Sequence, residues 1–222
     1  MILEVCANSY QSAINAQKAG AHRIELCKDL HLGGLTPDIE TFKQVRQELT
    51  IPIFVLIRPR AGNFIYSEDE LNTMLYQIET FKSIGADGIV CGALTSENRP
   101  HISQTLLLVK ESRPLEFTFH RAFDEVLNPR EAILELDELE INRVLTSGQA
   151  NSAVEGLQLL IELKKLAKKA SILPGAGINE MNVHVFNENE FEEIHASCSI
   201  SQESTTISGL NQIQKVLAVL NS

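Results

Sequence analysis

No tryptophan occurs among the 222 residues, and aromatic side chains make up only 5% of them. The core must then be filled mainly by Ile, Leu, Val and Ala, as it is in helix-covered parallel sheets. No apolar run approaches the roughly 18 residues of a membrane-spanning helix. The opening Met1-Ile2-Leu3-Glu4-Val5-Cys6 has no basic stretch before an apolar one, so no signal peptide is expected. Basic residues are outnumbered, 19 Lys and Arg against 29 Asp and Glu, for a net charge of −10. That balance argues against nucleic acid or an anionic membrane surface as partner. Four cysteines do not make a disulfide framework. There is no C-x-x-C, so a closed zinc site is not expected. No linker, low-complexity tract or composition shift divides the chain. The expectation is a single domain over residues 1–222, cytoplasmic, with free thiols.

What the chain has is alternation. Short apolar runs predict strands at Ile2–Cys6, His22–Cys27, Ile53–Arg58, Asp87–Cys91, Glu116–Arg121, Arg143–Thr146, Ser171–Leu173 and Glu192–Ala196. Amphipathic stretches between them predict helices at Tyr10–Ala19, Ile39–Glu48, Glu68–Ile84, Ser103–Glu111, Pro129–Leu139, Ser152–Lys169, Glu180–Asn187 and Leu210–Leu220. Ser67 before three acids reads as a helix N-cap, and Pro129 suits a first helical position. Strands alternating with helices imply a parallel sheet, and eight units close a (β/α)8 TIM barrel. The other α/β solution, an open doubly wound sheet, lacks its G-x-G-x-x-G after the first strand.

In such a barrel, chemistry sits at the C-terminal ends of the strands. Side chains alternate along a strand, so apolar Leu3 and Val5 on the helix side leave Glu4 and Cys6 inward. The same parity turns Glu25 and Cys27, Thr118 and His120, and Glu193 and His195 inward. Arg58 ends the third strand and Arg60 follows it. Buried charges must be paired. One explanation is a structural network in which Arg58 neutralises Glu4 or Glu25; the other is a functional site. Cys6 and Cys27 end neighbouring strands with matching parity, an arrangement suited to a soft metal such as Cu(I). Their alternative role is that of small buried apolar residues. Ser147-Gly148 and Gly175-Ala176-Gly177 follow strands six and seven, where barrels often bind phosphate through backbone N–H groups. Arg58, Arg60 and Arg121 at the same end suit anionic oxygens.

The segments Leu3-Glu4-Val5-Cys6, His22-Arg23-Ile24-Glu25-Leu26-Cys27, Ile57-Arg58-Pro59-Arg60, Thr118-Phe119-His120-Arg121-Ala122-Phe123-Asp124 and Arg143-Val144-Leu145-Thr146-Ser147-Gly148 together resemble the CutC family, in order along the chain. The resemblance implies a TIM barrel, cytoplasmic residence and a copper-related role, with copper placed on Cys6 and Cys27. The family's Pro-Gly-Gly-Gly reads Pro174-Gly175-Ala176-Gly177 here, and Cys198-Ser199 replaces a basic residue often found after the eighth strand.

Two functions follow. The first is a copper homeostasis protein whose metal ligands are Cys6 and Cys27. The second is an enzyme acting on a small anionic substrate, phosphorylated or carboxylated. There Glu4, Glu25 and His120 are catalytic candidates. Arg58, Arg60, Arg121, Ser147, Gly175, Gly177 and His195 are the substrate-binding candidates. Partners are then a copper ion or a small anion, and the sequence leaves room for a homo-oligomer.

Overall fold

Eight parallel strands, each but the last leading through a helix to the next, form the sheet. The computed structural model describes residues 1–202 and 205–221. The strands are β1 (Ile2–Ala7), β2 (Arg23–Leu26), β3 (Ile53–Leu56), β4 (Gly88–Cys91), β5 (Glu116–Phe119), β6 (Arg143–Thr146), β7 (Ser171–Pro174) and β8 (Glu193–Ala196). Their order is β7-β6-β5-β4-β3-β2-β1-β8, with every neighbour parallel. A parallel bridge between Gly175 and His195 brings β7 to β8 and nearly closes the ring. This is the TIM barrel that the alternation predicts. The helices are α1 (Tyr10–Ala19), α2 (Ile39–Glu48), α3 (Glu68–Ser83), α4 (Ile102–Ser112), α5 (Pro129–Asp137), α6 (Leu157–Leu166), α7 (Val183–Glu188) and α8 (Leu210–Leu220). None is long and apolar enough to cross a membrane among the described residues.

Local chemistry sets the boundaries. Ser67 caps α3 by accepting from the Glu70 N–H, while Glu70 accepts from the Ser67 N–H. Pro129 opens α5 behind an Asn128 cap. The helix expected from Ser152 begins only at Leu157. Gly156 lies against the backbone of Ser147 and Gly148, where a Cβ would stand 2.0 Å from the Ser147 carbonyl, so the chain turns there first. The helix expected from Glu180 starts at Val183, because Asn179 and Asn182 side chains accept the N–H groups of Met181 and Asn179.

Two expected strand ends also retract. β3 stops at Leu56, and the Arg58 N–H bonds to Thr36 Oγ1. β5 stops at Phe119, and Arg121–Glu125 winds into a 3-10 helix. A hairpin, β9 (Ser199–Gln202) and β10 (Thr205–Ser208), follows β8 and was not anticipated.

Apolar residues of the strands' outer faces pack under the helices, for example Leu3, Val5, Ile24, Ile53, Phe117 and Phe119. A second, smaller cluster fills the tube itself: Cys6, Cys27, Phe54, Leu56 and Val90. Below it lies a layer of charge. Arg23 joins Glu4 at 2.5 Å and also meets Glu193; Arg143 meets Glu193 at 2.8 Å and also Glu116. Both guanidinium groups lie 5.0 Å from the centre of the Phe54 ring.

Candidate functional site

A cavity of about 290 Å³ opens at the C-terminal ends of the strands. The structure brings eight of the expected residues to its wall: Cys6, Glu25, Cys27, Arg58, His120, Arg121, Gly177 and His195. Four others stand elsewhere. Glu4 is fully buried beneath the cavity and holds His195 Nδ1 through Oε1 at 2.7 Å. Arg60 faces away, since Glu70 and the carbonyls of Asn63 and Ile65 take its donors. Ser147 is buried and donates to the Ala150 carbonyl. Gly175 sits in the bridge to His195.

Cys6, next to last in β1, is paired opposite Glu25 of β2 and lines the cavity. The Cys6 and Cys27 sulfurs are 3.7 Å apart. Their hydrogen bond, together with burial, pushes the Cys6 thiol well above the ordinary range. Glu25 completes a group of three donors, all within 4.8 Å of one another. Its Oε2 is buried with no hydrogen-bond partner among the described residues. Burial raises its carboxyl to about 7, against the pull of His195. Burial opposes charge on His195 too, but Cys6, Glu4 and Glu25 together hold the imidazole protonated, well above its usual value. Glu4 is the reverse case. Burial would raise it, but Arg23 and His195 bring it down to about 2.

Arg58 does not neutralise either acid, contrary to the structural network considered from the sequence. Its NH1 donates to the carbonyls of Leu32 and Gly34, both at 3.0 Å, and its NH2 to that of Gly62 at 2.8 Å. Gly33 and Gly34 are both left-handed, with φ of +85° and +84°. A Cβ on Gly33 would stand 2.9 Å from Arg58 NH1, so only glycine lets this loop close on the guanidinium. The ion pairing instead falls to Arg23, which sequence analysis passed over. The parity that turned Glu25 inward turns Arg23 inward as well.

Ala176 lines the cavity with φ of 91°. An L side chain is strained there. Ala176→Gly is expected to stabilise the protein by about 1 kcal/mol and to raise the thermal midpoint by roughly 2–4 °C. A lower midpoint would show that packing of the methyl outweighs the strain.

The CutC family model matches residues 1–200. Over 205 residues the chain is 44% identical to a copper homeostasis protein cutC homolog of Mus musculus, covering 91% of this chain and 75% of that protein. It is 41% identical over 206 residues to a family protein CutC of Glaesserella parasuis serovar 5, covering 92% and 85%. A CutC crystal structure from Streptococcus agalactiae aligns with a TM-score of 0.84 at 29% identity, over 89% of this chain and 98% of that one. A 3-hexulose-6-phosphate synthase from Salmonella typhimurium aligns at 0.67 with 12% identity, over 100% and 99%, a likeness of fold alone. On a match that runs through the whole barrel, the chain belongs to the CutC family of copper homeostasis proteins.

Proposed function

We propose that this protein binds Cu(I) in the cytoplasm, with the thiolates of Cys6 and Cys27 as ligands at the barrel mouth. The supporting observation is the pair of sulfurs 3.7 Å apart on the cavity wall. With metal–sulfur bonds of about 2.3 Å, as thiolates give to zinc, both sulfurs can hold one ion in a bent arrangement. Glu25 stands beside them as a third donor. Soft thiolates favour Cu(I) over the hard divalent ions. The ion is cargo in this view, taken up and released through the open end of the cavity.

A coordinating thiol must lose its proton. The Cys6 thiol is held protonated, so copper uptake releases a proton and affinity rises with pH. The test is anaerobic competition against a Cu(I) chelator. Wild type is expected to bind one equivalent, and Cys6→Ser and Cys27→Ser each to weaken it by roughly a hundredfold, given the loss of one soft ligand. Equal affinity in wild type and the double variant would remove the proposal.

A further inference from the structure

A second part of the cavity wall carries two polar groups that neither the copper ligands nor the charged layer beneath use. Arg58, on the loop after β3, is only 6% exposed. Among the described residues its partners are three carbonyl oxygens and no carboxylate. Carbonyls satisfy hydrogen bonds and leave the net charge uncompensated. The layer below behaves differently, since Arg23 and Arg143 are each met by two carboxylates. The other group is His120, at the end of β5 and 4% exposed. Its Nδ1 accepts the Ala122 N–H at 3.3 Å, which assigns the proton of the neutral ring to Nε2. That Nε2 is buried with no hydrogen-bond partner among the described residues. Phe64 fixes both groups side by side. Its ring centre lies 4.8 Å from the Arg58 guanidinium and 4.8 Å from the His120 ring.

We propose that Arg58, Phe64 and His120 form a binding site for a small oxyanion, a carboxylate or a phosphate, which accepts the His120 Nε2–H and balances the Arg58 charge. Acceptor oxygens meet two buried donors left without a partner among the described residues, His120 Nε2–H and Arg58 Nε–H, and the anion supplies the counter-charge that the fold leaves out. Burial and the neighbouring Arg58 hold the His120 imidazole down at about 3, so it stays a neutral donor at neutral pH. At the rim, Arg121 is half-exposed, with Asp124 on its Nε, and adds a second cation along the entry path. The site stands on the segments that follow β3 and β5, whereas the sulfurs stand on β1 and just past β2, and it needs no metal.

The test uses metal-free protein at low salt, with glycolate and glycerol 3-phosphate as probes in calorimetry. At least one is expected to bind at a single site with Kd on the order of 1 mM or tighter; which one does so separates carboxylate from phosphate. His120→Asn keeps an acceptor near Nδ1 for the Ala122 cap and loses Nε2–H, so it should weaken binding by roughly tenfold or more. His120→Gln keeps a donor near Nε2 and should stay within about threefold of wild type. The double variant Cys6→Ser/Cys27→Ser should bind the anion as wild type does, which separates this site from the copper proposal. Absence of saturable binding by either probe, or wild-type affinity in His120→Asn, would overturn it. So would equal losses in the Asn and Gln variants.

Discussion

Arg23→Met is expected to lower the stability of the fold by about 3–5 kcal/mol, the cost of breaking a buried ion pair by removing one partner. The guanidinium bridges Glu4 and Glu193 across the inside of the barrel, and all three side chains are nearly inaccessible to water. Without it, among the described residues, Glu4 keeps the imidazole of His195 and Glu193 keeps Arg143. For a chain of this size the thermal midpoint should fall by on the order of 10 °C. Pairing the change with Glu4→Gln, which removes the stranded charge, should recover part of the loss, because contacting sites are not additive. Calorimetric unfolding of the single and double variants measures both. A single-variant loss below about 1 kcal/mol, the range of exposed pairs, would show that the charged layer adds little.

Stability should peak in mildly acid solution and decline toward neutrality, and Glu25→Gln should remove much of that decline. The three groups at the junction of layer and cavity set the sign. Glu4 is depressed to about 2, so its contribution is complete above its unfolded value of 4.5 and is lost as pH falls toward 2. Glu25 is raised to about 7, so between 4.5 and 7 the unfolded chain gives up its proton first, and stability falls as pH rises. His195 is raised, so its contribution is present below 6.5 and is lost as pH climbs through its folded value. The Glu25 displacement alone corresponds to about 3 kcal/mol between pH 4.5 and pH 7. At pH 7.5 the Gln variant should therefore exceed wild type by about that amount, with little difference at pH 4.5. Urea unfolding at the two pH values decides; the same pH slope in both proteins would refute the assignment.

The barrel was legible in the sequence because period and parity are local. Strand β6 and helices α1, α2 and α8 fall on their expected bounds, and parity alone turned Cys6, Glu25, Cys27 and His120 toward the tube. What sequence analysis missed depended on distance along the chain. The lower layer is built at strand starts, where Arg23 and Arg143 sit, far from the strand ends that carry the cavity. One of the two explanations open from the sequence pairs Arg58 with an acid, because charge suggests charge. The carbonyls that actually hold it are exposed by the left-handed turn at Gly33 and Gly34, a matter of loop geometry. Arg60 was lost to the site by Glu70, ten residues on, which also caps α3. The hairpin after β8 did leave a trace, the alternation of Ser199-Ile200-Ser201 and Thr206-Ile207-Ser208, but it came where a helix was due.

The charged layer has one more consequence, for traffic. Glu4, Arg23, Glu193, Arg143 and Phe54, each less than a tenth exposed, fill the tube beneath the cavity, the packed interior of a barrel and not a pore. The cavity is therefore a blind alley with one door. Whatever enters last must leave first, so a ligand resting near Arg121 would stand in the way of an ion leaving the sulfurs, and residence times of the two occupants would be linked even where their affinities are not.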